Sequence, residues 1–241
     1  KEITMEKIAR RLARRACGLA AWTAAGVALA GALAVLLARQ GDAVGLALLS
    51  ERNHLHLPAM SGLPAVGRLL DQLTALEPGG AREPGGPTAL GQAVEQLAPF
   101  LPRRSLTVLI SDCLDEPESL QRALRVLRHR RHEIRIIRVL HPDVEQFPLS
   151  GTVKCIGLEN ERPLLLDADR ARTWYREAFA RHALALSAAS HACGAGLVVV
   201  AMSETAQFMH RALYGLGAGE FLSAQVKVMT WRALAVPTFG G

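Results

Sequence analysis

The 241-residue sequence is poor in aromatic residues and has no closely spaced cysteine pair. Three Trp, two Tyr and six Phe are too few for a surface that stacks nucleic-acid bases. The four cysteines, Cys17, Cys113, Cys155 and Cys193, form no Cys-x-x-Cys motif, so neither a zinc ribbon nor a disulfide framework is expected. Reduced thiols are typical of the cytoplasm, and we expect that location.

The residues that are abundant are apolar or basic. Hydrophobic residues make up 50% of the chain and charged residues 21%, so a core of ordinary size can be buried. The formal net charge is +6, and nearly all of the basic residues are arginines. An arginine-rich surface suits an acidic protein partner rather than nucleic acid. Arginine and alanine are also what a G+C-rich genome encodes, so charge alone does not define a partner.

The N-terminal region has two interpretations. Residues 1–15 form a basic segment, and residues 16–38 carry no charge over a length that can span a bilayer. Alanine and glycine dominate this stretch, so its tendency to insert is weak. Leu29, Leu33 and Leu36 follow helical spacing, which predicts a buried helix over residues 22–39 that packs on a sheet. A membrane anchor over residues 16–38 is the alternative.

The rest of the chain alternates apolar strands with amphipathic helices. Predicted strands cover residues 43–49, 54–57, 106–110, 134–140 and 196–201, and a hairpin covers 152–156 and 164–166. Predicted helices cover residues 63–76, 117–131, 167–192 and 204–216, with one more beginning at Thr88. This alternation predicts an α/β fold, a mostly parallel sheet with helices on both faces. The domain would span residues 22–216, between a basic segment (1–21) and a C-terminal tail (217–241).

Several short motifs occur in an order that matches a known family. They are residues 40–46 (QGDAVGL), 86–90 (GPTAL), 108–112 (VLISD), 132–134 (HEI) and 142–148 (PDVEQFP), followed by Leu158-Glu159, Arg172 and Tyr175. Together they resemble the DUF58 family, which is von Willebrand factor A-like and is associated with MoxR-type AAA ATPases. The resemblance covers about residues 22–215 and implies a von Willebrand A-like, Rossmann-like fold.

The resemblance also implies a metal-ion-dependent adhesion site, of which only a part is present. Thr88, in a middle loop, and Asp112, after a strand, match two of its ligand positions. The Asp-x-Ser-x-Ser motif is missing, because residues 1–21 contain neither Asp nor Ser. Mg²⁺ prefers six oxygen ligands, so we expect a degenerate, empty site that binds no metal tightly, and we expect no cofactor. The structural alternative is that Thr88 caps a helix and Asp112 caps the helix that follows it.

The strand that should carry the missing motif is also absent or replaced. Its vacancy would lie between the strands at residues 43–49 and 106–110. These two strands therefore either pair directly or leave a gap that another segment fills, since unpaired strand edges are a liability. Residues 224–230 (AQVKVMT) are the candidate for that segment.

The implied function is a non-enzymatic protein-interaction module, an adaptor that works with a MoxR-type AAA ATPase on an unidentified client. Arg122, Arg125 and His129 share one face of the predicted helix 117–131 and are the candidate partner-binding residues. A hydrolase that uses Asp112 or Cys113 is the alternative in the enzyme class. A membrane-anchored form is the alternative in location.

Overall fold

The computed structural model describes residues 25–49, 55–75, 90–155 and 164–201, which excludes the predicted basic segment and C-terminal tail. The strands are β1 (Val44–Leu48), β2 (Leu55–Met60), β3 (Leu106–Ser111), β4 (Glu133–Leu140), β5 (Thr152–Cys155), β6 (Leu164–Asp167) and β7 (Gly196–Ala201). The helices are α1 (residues 25–39), α2 (Leu63–Thr74), α3 (Leu90–Leu97), α4 (Pro117–His129), α5 (Pro142–Gln146) and α6 (Ala168–Ala192). A 3₁₀ turn, Ala98–Phe100, follows α3.

A parallel sheet with the strand order β3-β4-β7 forms the centre of the described structure. In the central strand β4, Ile134 and Ile136 pack with residues of α3, α4 and α6, whereas Ile137 and Val139 pack with α1. Helices therefore cover both faces, which explains why the strand is apolar almost throughout. The predicted α/β class, with helices on both faces, is confirmed for this sheet.

Helix α1 lies between the parallel sheet and a second group formed by α2 and the strand β1. Leu29 is buried against Ile137 and Val139, and Leu33 is half-buried in the same cluster. Ala34 packs with Leu69 and Leu73 of α2. The described part of α1 is thus the helix on the sheet that the leucine spacing predicts, although Leu36 is half-buried rather than buried. None of the helices in the described ranges combines the length and the hydrophobicity of a bilayer span.

Strand β1 pairs antiparallel with β2 and not with β3. Leu48 lies opposite Leu55 and Val44 opposite Met60, with an irregularity between Val44 and Leu46. The short connection from Leu48 to Leu55 allows a hairpin, whereas a parallel crossover needs about a dozen residues or more. Direct pairing of the strands at 43–49 and 106–110 is therefore wrong. Residues 224–230, the other candidate neighbour, lie outside the described part of the chain.

A second hairpin precedes the longest helix. β5 and β6 pair antiparallel, as the sequence predicts, and Asp167 then caps α6 by accepting the backbone N–H of Arg170 at 3.2 Å. Residues of α5 and α6 form a core cluster beside the end of β4, where the rings of Phe147 and Tyr175 lie 4.7 Å apart. This packing fixes α6 over the carboxyl end of the parallel sheet.

Candidate functional site

The loop that follows β3 contains the predicted site residue Asp112. Ser111 Oγ accepts the N–H of Cys113 at 3.1 Å, and Asp112 Oδ1 accepts the N–H of Leu114 at 3.3 Å. Between them, Cys113 has a φ of 49°, in the left-handed region. Side chains of Ser and Asp stabilise turns by such bonds to nearby backbone N–H groups. Asp112 therefore helps to shape the loop itself.

A second acidic residue of this loop, Asp115, binds the start of α3. Its Oδ2 accepts the N–H of Leu90 at 2.7 Å. A carboxylate at a helix N-terminus satisfies a free N–H and interacts favourably with the helix dipole. The sequence predicts Thr88 as the cap of this helix, and no local pattern indicates Asp115, which is 25 residues away from Leu90 in the chain. Thr88 lies outside the described residues.

A buried arginine binds the backbone of the loop between β3 and α4. Arg138 of β4 is 2% exposed, and its Nε donates to the backbone carbonyl of Asp112 at 2.8 Å. Its guanidinium carbon lies 5.2 Å from the centroid of the Phe179 ring, a cation–π arrangement. Burial lowers the pKa of Arg138 from its ordinary value, and the charges of Cys113 and Asp112 act in the opposite direction.

His182 of α6 holds the other end of the same loop. Its Nε2 lies 2.9 Å from the carbonyl oxygen of Asp115, and its Nδ1 lies 3.5 Å from the guanidinium of Arg138. The carbonyl accepts only, and the guanidinium donates only. The neutral tautomer with hydrogen on Nε2 therefore satisfies both contacts. Arg138 and His182 together bind two carbonyl groups of the β3–α4 loop.

Arg138 and His182 were missed by the sequence analysis, although both break a pattern. Arg138 lies on the same face of β4 as Ile134 and Ile136, because successive side chains of a strand point to opposite faces. His182 lies on the same buried stripe of α6 as Phe179 and Leu186. A charged or polar side chain at a core position requires partners, so such interruptions indicate a buried network.

The Cys113 thiol is closed off from solvent. Cys113 is 2% exposed, and burial, followed by the negative charge of Asp112, raises its pKa to about 12. The reactive form of cysteine is the thiolate, which needs a lowered pKa and access to the substrate. The environment of Cys113 therefore does not favour the nucleophile of the hydrolase alternative.

The predicted metal-binding pair cannot be placed as a pair, because Thr88 is not among the described residues. Within ranges 25–49, 55–75, 90–155 and 164–201, no three His, Cys, Asp or Glu side chains come together as metal ligands. Arg138 interacts electrostatically with Asp112. Its positive charge disfavours a divalent cation beside that carboxylate.

The three predicted partner-binding residues lie on the outer face of α4. The inner face buries Leu120, Ala123, Leu124 and Leu127. Arg122, Arg125 and His129 are exposed, and in the described part of the chain none of them takes part in an ion pair. The structure thus brings these three residues together as a basic surface, which we call the α4 face.

Comparison with known proteins identifies the family. Residues 21–188 match the family model described as Protein of unknown function DUF58. The match covers more than half of the chain, and this chain therefore belongs to the DUF58 family. An aerotolerance-related membrane protein from Bacteroides fragilis, solved with multiple mutations to serines, is 13% identical. It aligns over 83% of this chain and 93% of its own, with a TM-score of 0.41. No curated protein matches the chain.

Proposed function

We propose that this DUF58 protein is a non-enzymatic interaction module that works with a MoxR-type AAA ATPase on a client protein. The observation that carries the proposal is the α4 face, where Arg122, Arg125 and His129 are exposed and, within the described structure, unpaired by acidic side chains. Guanidinium groups bind carboxylates through two parallel hydrogen bonds. An acidic surface of the ATPase is the partner that this chemistry fits.

We infer a von Willebrand A-like arrangement from the layers around the parallel sheet, and this arrangement supports the proposed role. α1 covers one face of β3-β4-β7, and α3, α4 and α6 cover the other. This layering leaves the outer side of α4 as a rigid, solvent-facing platform. A helix fixed on a sheet presents its side chains with little loss of conformational entropy on binding.

The β3–α4 loop is consistent with an interaction module rather than a hydrolase. Asp112 contributes to the turn, and the Cys113 thiol is buried with a raised pKa. We propose that the adhesion site formed by Thr88 and Asp112 is degenerate and holds no tight metal, because a guanidinium charge acts on Asp112. The free thiols of Cys113 and Cys193 support a cytoplasmic location, which is also part of the proposal.

The test is direct binding between the full chain and the MoxR-type ATPase of the same genome, measured by biolayer interferometry. The double variant Arg122→Glu and Arg125→Glu should weaken binding by about tenfold or more, since it replaces attraction by repulsion. The matched control is Arg176→Glu with Arg181→Glu, which reverses two exposed arginines of α6. Absence of binding by the unchanged protein, or an equal loss in both variants, would overturn the proposal.

A further inference from the structure

An open groove lies between β2 and the end of α3. It has a volume of about 270 Å³ and is lined by His56, Gln96, Leu97 and Phe100. Phe100 is 70% exposed, and its ring centroid lies 6.4 Å from that of His56. Large aromatic side chains dominate the energetics of protein interfaces, so an exposed phenylalanine beside a groove indicates a docking surface.

The backbone around Phe100 is held in place from inside the protein. Ala98 and Leu97 are buried in the core. On the other side of the turn, the guanidinium of Arg130 donates to the carbonyls of Pro99 and Leu101, at 3.2 and 3.1 Å. These bonds lie on both sides of Phe100 in the chain. The groove is therefore preorganised, which lowers the entropic cost of binding.

Three exposed arginines are close to Phe100 in the chain or through a backbone hydrogen bond. Arg103 and Arg104 follow Phe100 in the chain, and the N–H of Arg104 donates to the carbonyl of Arg130 at 3.4 Å. This bond brings the turn that contains Arg131 next to them. In the part of the chain that the structure describes, none of Arg103, Arg104 and Arg131 takes part in an ion pair. Their charges are thus free to attract an acidic ligand.

We propose that the Phe100 groove, defined as His56, Leu97 and Phe100, docks a short segment of a partner protein, together with the neighbouring Arg103, Arg104 and Arg131. That segment carries a bulky apolar side chain flanked by Asp or Glu. The groove is open and smaller than the roughly 300–1,000 Å³ of small-molecule sites, so it suits one or two side chains. The apolar side chain covers Phe100, and the acidic residues meet the arginines.

The residues of this groove differ from those of the α4 face. The proposal therefore does not rest on the ATPase partnership. A variant with Arg122→Glu and Arg125→Glu removes the charges of the α4 face and leaves His56, Leu97 and Phe100 unchanged. It separates the two proposals, because only the ATPase interaction should respond to it.

The experiment measures fluorescence anisotropy of a labelled peptide, Glu-Asp-Glu-Trp-Leu-Glu-Asp, titrated with the full chain. Two control peptides replace either Trp and Leu, or all the acidic residues, by Ser. The first peptide should bind about tenfold more tightly than either control, because both apolar and charged contacts contribute. If the peptide in which Ser replaces Trp and Leu binds equally well, the binding is non-specific charge attraction and the proposal is overturned. No saturable binding up to about 1 mM would also overturn it.

Two variants locate the binding site on the protein. Phe100→Ala should weaken peptide binding by about tenfold, whereas Leu184→Ala should not change it. Leu184 is the matched control because it is 71% exposed on α6, against 70% for Phe100. Arg103→Glu with Arg104→Glu should weaken binding and reduce its salt dependence, and Arg176→Glu with Arg181→Glu should do neither. An unchanged affinity in the Phe100→Ala variant would show that the groove is not the site.

Discussion

The two ends of the parallel sheet differ in how their polar groups are used. At the carboxyl end, Arg138 and His182 bind carbonyl groups of the β3–α4 loop, and Asp115 binds α3. At the amino end, Arg103 and Arg104 are exposed and make no described ion pair. Ligands of parallel α/β sheets usually bind at the carboxyl end. Among the described residues, Arg138, His182 and Asp115 at this end stabilise the fold, whereas the exposed arginines without a described ion pair lie elsewhere.

The interior of the amino end is held together by neutral groups. His132 is 2% exposed, and its Nδ1 lies 2.8 Å from Ser105 Oγ and 3.2 Å from Thr107 Oγ1. Its Nε2 is buried and has no hydrogen-bond partner among the described residues. The carboxyl end therefore depends on a buried charge, whereas the amino end depends on an uncharged imidazole. Four experiments test this contrast, beginning with the one that should have the largest effect.

Removing the buried charge should be most damaging. Arg138→Met removes the buried guanidinium that donates to the Asp112 carbonyl and contacts His182 Nδ1, and we expect the free energy of unfolding to fall by about 3 kcal/mol. The control is Arg135→Met on the same strand, where the ion pair with Glu133 has side chains that are 26% and 35% exposed. That change should cost less than about 1 kcal/mol. Urea unfolding measures both, and similar losses in the two variants would contradict the buried network.

Close packing at the carboxyl end should be sensitive to a single methyl group. A Cβ at Gly91 of α3 would overlap Ser119 Oγ and lie 2.5 Å from the carbonyl oxygen of Ser119. Gly91→Ala should therefore lower stability by about 2 kcal/mol through overpacking. Gly67→Ala in α2 is the matched control, because a Cβ there meets nothing within 4 Å. It should raise the stability by up to about 1 kcal/mol through helix propensity. Thermal unfolding distinguishes the two outcomes.

Acid should weaken the amino end through His132. Burial, together with the charge of Arg130, lowers the pKa of His132, while a hydrogen bond with the backbone of Ser105 acts in the opposite direction. The unfolded chain then binds the proton more readily than the folded protein. The stabilisation that depends on neutral His132 is fully present above the ordinary histidine pKa of about 6.5. It decreases as the pH falls toward the pKa of His132 in the folded protein.

This effect is measured by urea unfolding at about pH 7.5 and about pH 5.5. The decrease between the two should be smaller in His132→Gln than in the unchanged protein. His191→Gln, which alters an exposed histidine near the end of α6, is the control. An identical decrease in all three proteins would show that His132 does not carry the acid sensitivity.

The smallest expected effect is that of metal at the carboxyl end. A ligand that binds only the native state raises stability by mass action. Because the charge of Arg138 acts on Asp112, millimolar Mg²⁺ or Mn²⁺ should leave the melting temperature unchanged, in the unchanged protein and in Asp112→Ala alike. A rise in melting temperature that Asp112→Ala abolishes would contradict this prediction and show that Asp112 takes part in metal binding.

The elements that could be predicted from the sequence are those whose patterns are long and consistent. Apolar runs at 106–110, 134–140 and 196–201 became β3, β4 and β7, and the inward stripe of residues 167–192 became α6. The pairing of β1 was harder to predict, because a short apolar run does not indicate which strand lies beside it. Its proximity in sequence to β2 favoured a hairpin, and Pro58 in β2 is typical of an edge strand.

The candidate sites were less predictable than the fold. The α4 face follows from helical spacing alone, so the sequence could place Arg122, Arg125 and His129 on one outer face of the helix. Their role in partner binding stays a prediction. The network of Arg138, His182 and Asp115 joins a strand, a helix and a loop, and no local pattern connects them. Phe100 could not be distinguished from a core residue, since the sequence does not show which side of a 3₁₀ turn faces the solvent.

The position of α1 between two groups of strands has a consequence for the order of folding. The hairpin pairs Ala47 with His56, whereas the parallel sheet pairs Thr107 with Ile134 and Ile137 with Val198. Contacts between residues close in the chain form faster, because less chain entropy is lost in closing the loop. The hairpin, with α1 and α2 packed on it, should therefore become protected from hydrogen exchange first. The face of α1 that carries Leu29 becomes buried only when the parallel sheet forms. Helix α1 therefore connects the part of the structure that forms first with the part that forms later.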